Sequence, residues 1–230
     1  MRAGYGDGSG AAEVQVTNPS GGILGGDELG MEVSLAPGSS ATVLTQAANK
    51  AYGGPEARQD AAFEVGEGAA LEYMPHHLIP YASSNYRQET RIRLAKGAIL
   101  LTWDAGRVAR GERFAYARLS SRTRIMRDGL PEVVDGFDLP AGGEPFGGYS
   151  YLAGLYVLAP LDLAPLADEL HHALLPGAPR VLASASAPSS GLCAVRVLAR
   201  DATALYRALN VCRALSRARL GLAPPVREVW

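Results

Sequence analysis

Lysine is nearly missing from this chain: Lys50 and Lys96 are the only two, and arginine supplies the remaining positive charge. A GC-rich genome is the plainer account, although arginine's planar fork also suits carboxylate partners. Net charge is −1 and the isoelectric point about 6.4. That balance gives no bulk electrostatic reason to bind nucleic acid or an anionic membrane. Cysteine is scarce too. Cys193 and Cys212 make no disulfide framework, and no CxxC or Cys/His spacing suggests a metal or redox centre. No run approaches the roughly 20 apolar residues of a membrane span. The glycine-rich, polar start lacks the apolar core of a secretory leader. These absences lead us to expect a reduced, cytoplasmic protein. The chemical motifs GxSxG and HExxH and the kinase set are missing as well.

What is present centres on Thr17 to Gly54. Asn18-Pro19-Ser20 is turn chemistry, and Gly21-Gly22-Ile23-Leu24-Gly25-Gly26-Asp27 places two glycine pairs around two aliphatic residues. Glycine permits positive φ and close backbone approach. The stretch reads as a tight crossing between strands with Ile23 and Leu24 tucked inward. A phosphate loop would need Gly-Lys-Ser/Thr or GxGxxG opening a helix, and β-type sequence follows instead. Strands are expected at Met31–Leu35 and Ala41–Thr45, and the polar run Thr45 to Lys50 with Tyr52 closes the unit.

This unit repeats. Three alternating strands run into a turn glycine and out into another strand, with glycines at 38, 68 and 97. A near-constant period of this length indicates stacked supersecondary units. With strands as the units, the fold class is mainly β: a layered, β-helix-like (solenoid-type) stack. Function is then expected on a surface more than in a deep cleft. Residues 1–12 read as a flexible lead-in and 13–230 as one β-helical domain. Tyr73–Tyr86 and Trp103–Phe114 read as connections. Tyr116–Met126 reads as a strand with Arg118, Arg122 and Arg124 outward, turning at Arg127-Asp128-Gly129. Ala141–Gly148 is a glycine-rich loop. In the C-terminal half, Leu161–Leu175 has helical spacing of leucines. A second helix capped by Asp201 carries Leu205, Leu209, Cys212 and Leu215 on one face, with Arg207, Arg213 and Arg217 off it.

The candidate ligating residues are few. His76 and His77 are adjacent in an extended segment, so their side chains point opposite ways and chelate one ion poorly. One of them could join Glu72 or a second chain, but a tight site needs three or four ligands. A metal-dependent, cupin-like hydrolase using His76 or His77 is one alternative reading, and a purely structural β-solenoid interaction module is another. His171-His172 reads as a solvated helix face. Asp27, Asp104 and Glu112 flank glycines or charges and read first as turn or capping carboxylates.

The residues also resemble a family. The run Asn18 to Asp27, then Pro37-Gly38 and Thr45-Gln46-Ala47-Ala48-Asn49-Lys50-Ala51-Tyr52, is similar to the signature of the urease accessory protein UreD, also called UreH. Gly68-Ala69-Ala70-Leu71-Glu72-Tyr73-Met74-Pro75, Gly111-Glu112-Arg113-Phe114 and Arg127-Asp128-Gly129 continue the likeness. It is clearest from 17 to 137 and loose beyond, apart from the Pro-Pro-φ-Arg-x-φ-Trp ending. The resemblance implies a β-helical fold with two helices and no enzymatic activity. It implies a scaffold that, with UreF and the GTPase UreG, docks on apo-urease and assists nickel insertion. It also implies strands ahead of the glycine motif, where this sequence offers 17 residues, and the family assigns no role to the His76-His77 pair. No tightly bound cofactor is expected, only nickel in transit. Weak oxygen sites suit a passing ion better than sulfur or imidazole cages. Asp27 is the first choice, followed by Glu72 and Asp104, with His76 and His77 as further candidates.

Overall fold

The computed structural model describes residues 10–225 and 227–229, apart from 108, 111, 114 and 143–145. The strands are β1 (Ala12–Val16), β2 (Glu28–Leu35), β3 (Ser40–Thr45), β4 (Asn49–Ala51), β5 (Ala57–Val65), β6 (Ala70–Met74), β7 (Leu78–Pro80) and β8 (Asn85–Leu94). They continue as β9 (Ile99–Arg107), β10 (Ala109–Arg110), β11 (Glu112–Arg113), β12 (Arg118–Arg127), β13 (Leu130–Pro140), β14 (Tyr151–Leu158), β15 (Val181–Ser189) and β16 (Leu192–Ala199). Two helices, α1 (Ala164–Leu174) and α2 (Ala202–Arg219), complete the set.

The chain coils through about four solenoid turns. Each turn gives one strand to a large sheet, ordered β1-β3-β6-β9, and one to a smaller sheet, ordered β2-β5-β8-β12. All these pairings are parallel. Ala41 lies beside Leu71, which lies beside Leu100, so the strand register follows the glycine repeat. Gly38, Gly68 and Gly97 adopt φ of 69°, 63° and 72°, and the turns bond to one another through Gly38 N–H to Glu67 O (2.8 Å) and Gly68 N–H to Lys96 O (3.1 Å). After four coils the pattern turns antiparallel. β13 closes the smaller sheet by a hairpin through Asp128 and Gly129, both at positive φ, and β14, β16 and β15 extend the larger one.

Parallel register stacks like on like between the two sheets. In the smaller sheet Val33, Phe63, Ile92 and Ile125 form one inward row, and Leu35, Val65 and Leu94 the next. These pack on Val43, Leu71 and Leu100 of the larger sheet. The larger sheet's other face carries the second core. Leu44, Met74, Leu101 and Trp103 meet Leu166 and Leu170 of α1 and Leu205, Leu209 and Cys212 of α2 there. Asp201 caps α2 by accepting from Ala204 N–H at 2.9 Å.

Several expectations shift. Trp103 to Arg107 belong to β9 and do not form a connection, and residues 108, 111 and 114 of that stretch lie outside the described residues, as do 1–9 of the expected lead-in. Within the Tyr73–Tyr86 connection, β7 pairs with β4. Ile23 is buried, but Leu24 is 55% exposed, because the bridge from Ile23 to Ala51 turns only one of the two aliphatic residues inward. The glycine pairs do make a close crossing: a Cβ on Gly25 would sit 2.6 Å from Gly54 Cα, and one on Gly22 2.8 Å from Lys50 O. Gly25→Ala should therefore cost about 2–3 kcal/mol in chemical denaturation, because backbone must move apart. Gly38→Ala, strained in φ but open in space, should cost about 1 kcal/mol.

Candidate functional site

The inward rows of the smaller sheet change character halfway along. Beyond Ile92 and Ile125 come Thr90 beside Thr123, and then Gln59 beside Gln88 beside Ser121. The larger sheet answers with Tyr73, Thr102 and Asp104. Between them lies a cavity of about 30 Å³, room for about two waters, lined also by Thr45, Asn49 and His76.

Its polar groups form a continuous chain. Asn49 Nδ2 donates to Gln59 Oε1 (2.9 Å), as does the Tyr86 hydroxyl (3.0 Å). Gln88 Oε1 lies 3.2 Å from the same hydroxyl and competes for its one proton, and Gln88 Nε2 donates to Asp104 Oδ1 (2.8 Å). Ser121 donates to the other oxygen of Asp104. Gly154 lies opposite Asp104 in β14 and places no side chain over it. Burial raises the Asp104 carboxyl above the usual range, and the charge of Asp135 adds to this. The hydrogen bonds from Ser121 and Gln88 pull it back down. At its other end the network meets an open depression of about 630 Å³ at the first coils, because Thr45, Asn49, Gln59 and Tyr73 line both. Asn18, Pro19, Gly21, Gly22 and Thr45 to Lys50 shape that depression.

The other candidates lie elsewhere. Asp27 closes its own turn, accepting from Leu24 N–H at 2.8 Å. Glu72 faces the helices, not the cavity. It binds Arg213 Nη2 (2.7 Å) and Arg217 Nη1 (2.6 Å), all three groups being buried, and accepts from the Thr42 hydroxyl (3.3 Å). These arginines were expected off the buried face of α2; the carboxylate draws them in. They also donate to the Arg227 and Ala223 carbonyls, which straps the tail onto the helix.

His76 and Asp104 share the cavity lining. The His76 Nδ1 lies 3.1 Å from Thr45 Oγ1. His77 is turned away and buried, its Nδ1 2.9 Å from the Tyr206 hydroxyl and its ring edge-on to Tyr151. Among the described residues no three His, Cys, Asp or Glu side chains gather to hold an ion. Cys193 and Cys212 are buried free thiols, raised by burial to about 11 and about 12. His172 Nδ1 contacts the Asp168 carbonyl oxygen on the exposed side of α1. The cavity's glutamines were missed from the sequence, although Gln59 and Gln88 sit at equivalent places in successive repeats, at inward positions where apolar residues were due.

Two stability predictions follow from these burials. Glu72→Ala leaves two guanidinium groups buried without a counter-ion, and should cost about 3–5 kcal/mol in urea unfolding. His77 is held down at about 4 by burial first, then by the charges of His76 and Arg107, against an ordinary 6.5. The unfolded chain therefore binds a proton that the folded chain refuses. The neutral ring's full contribution is present above about pH 6.5 and is lost as pH falls towards 4. The swing should be about 3 kcal/mol at most, and His77→Gln should flatten that part of the stability–pH curve.

Comparison with known proteins gives the family. A family profile described as UreD urease accessory protein matches residues 1–230. A urease accessory protein UreD from Anaeromyxobacter sp. (strain Fw109-5) is 36% identical over 220 residues, covering 90% of this chain and 74% of the relative. The UreD of Sorangium cellulosum is 36% identical over 231 residues, covering 95% of this chain and 73% of the relative. That of Nostoc sp. (strain PCC 7120) is 34% identical over 177 residues, 74% of this chain and 63% of the relative. The chain thus spans about three quarters of the length of the first two and under two thirds of the third. With its four-coil β-solenoid, its two helices and a profile match along its whole length, the chain belongs to the UreD urease accessory protein family.

Proposed function

We propose that this protein is a non-catalytic, cytoplasmic scaffold of urease maturation that docks on apo-urease together with UreF and UreG and passes nickel through its interior. The names of its relatives, urease accessory proteins UreD, support the urease role. The observation that carries the rest is the polar chain between the sheets, running from the open depression at the glycine motif to buried Asp104. A solenoid core is ordinarily apolar, and burying polar groups costs free energy unless each is bonded. Keeping such a row has a functional reason if an ion must cross.

Nickel is cargo in this reading. Amide and hydroxyl oxygens would hold a divalent ion weakly and release it. Asp104 would supply a formal negative charge at the inner end of the network. An approaching cation would favour its ionised form. His76 lines the same space and would serve as a second stop. Asp27, in the turn that follows Gly21 and Gly22 of the depression's wall, would act at the entrance. Glu72 and His77 are committed to α2 and would act only by holding the wall in place.

Asp104→Asn separates passage from docking. Co-expressed with urease subunits, UreF and UreG, the variant should still co-purify with its partners, yet lower the nickel content of urease several-fold. Unchanged nickel would remove Asp104 from the path. The isolated variant should unfold at a higher temperature near neutral pH, since a buried carboxyl raised by desolvation disfavours folding as pH rises above its ordinary range. Asp27→Ala should lower nickel content, at a stability cost of about 1 kcal/mol because Leu24 N–H loses its acceptor.

A further inference from the structure

The outer face of the smaller sheet carries a cluster of arginines that the interior reading does not use. Parallel register lines them up. Arg58 lies beside Arg87, which lies beside Ser120. Glu89 lies beside Arg122, and Arg91 beside Arg124. Few acids answer them. Arg118 pairs with Asp138 at 2.5 Å, and Arg58 with Asp60 at 2.9 Å. Glu89 is shared at 3.5 Å between Arg91 and Arg124.

Arg87 and Arg122 are exposed and make no ion pair among the described residues. The position opposite Arg122 in β13 is Gly136, where a Cβ would meet Ser121 O at 2.3 Å. That row therefore has no side chain at its end. The result is a shallow groove of about 620 Å³, lined by Arg87, Arg118, Arg122 and Arg124 and, on its β13 side, by Asp135 and Asp138, which are paired with Arg196 and Arg118. Its field is felt by Asp138, whose carboxyl is held below the usual range by its hydrogen bond from Arg118 and then by the charges of Arg118, Arg122 and Arg87.

We propose that this groove is a docking surface for an extended acidic segment of a partner protein. The inference rests on the reading that the chain works by docking. Guanidinium forks favour carboxylates held in two parallel bonds. Successive outward rows of a sheet repeat about every 6.6–6.8 Å, the spacing of alternate side chains in an extended peptide laid along the strands. Carboxylates at alternate residues would thus meet Arg87 with Ser120, then Arg122, then Arg124. The chain's overall charge of −1 gives a nucleic-acid backbone no long-range attraction, so the charge is local and suits a local acidic patch.

The test uses the full chain and a fluorescent peptide of six Glu-Ser repeats, followed by anisotropy at low and high salt. The Gln-Ser counterpart should bind at least tenfold more weakly. Arg87→Ser with Arg122→Ser should weaken the acidic peptide about tenfold, with an unchanged melting temperature because both side chains are exposed. The charge-matched control, Arg93→Ser with Arg180→Ser, should bind as the parent does. Equal loss in the control would overturn the proposal, since diffuse charge would then explain binding. Tighter binding of single-stranded RNA than of the peptide would overturn it too. If the serine variant melts early, Arg87→Lys with Arg122→Lys replaces it; loss of the fork at constant charge should still weaken binding several-fold, and no loss would count against the groove. Urease nickel content with the unmodified chain is measured separately. Its failure would reject the maturation reading while leaving peptide binding to stand or fall alone.

Discussion

Parallel, in-register stacking of the coils governs everything else in this molecule. Each residue's neighbours above and below are its equivalents one repeat away, so chemistry is imposed by row. An aliphatic position in one coil makes a dry column through all of them, as at Phe63, Ile92 and Ile125. A polar position demands polar neighbours for the same reason, because an isolated buried amide would lack partners. Gln59, Gln88 and Ser121 are such a column, and the hydrogen-bonded chain follows from the register. The outer face obeys the same rule: Arg58 beside Arg87 and Arg91 beside Arg124 make a charged surface out of single substitutions repeated.

The two halves of the chain have different duties. The coils supply the interior row and the outer face. The antiparallel strands and the helices close the structure, and α2 is held by ionic as well as apolar contacts. Arginine can satisfy both oxygens of Glu72 and still reach two tail carbonyls, because its fork offers several donors in one plane. Ion pairs of this kind contribute little net stability when intact, and lose a great deal when one partner is missing. They fix which surface of α2 faces the sheet more than they add to the total.

Much of this was legible in the residues. The glycine period gave the coils, because only a turn that repeats at fixed length stacks strands in register. Asp201, the Asp128-Gly129 turn and the leucine spacing of α1 and α2 marked their elements through local chemistry. What escaped depended on partners far away in sequence. Leu24 reads like Ile23, and only the bridge to Ala51 tells them apart. Arg213 and Arg217 read as solvated until Glu72 is brought beneath them. Asp104 could be suspected as a carboxylate, but its network could not, because Gln59, Gln88 and Ser121 come from three coils. The polar inward row escaped for the same reason: alternation shows which side chains point inward, but not that one inward row is polar.

The Glu72 cluster also bears on how the chain is made. Glu72 and Arg213 are separated by 141 residues. At about 5–20 residues per second of synthesis, about 7–30 seconds pass between the carboxylate's emergence from the ribosome and that of its first counter-ion. The early coils can stack meanwhile, since their glycine turns and aliphatic columns are local. The face that α2 will cover stays open to water through that interval, with a charged side chain at its centre. Solvated Glu72 then keeps one polar group on an otherwise apolar face until translation delivers the helix that belongs there.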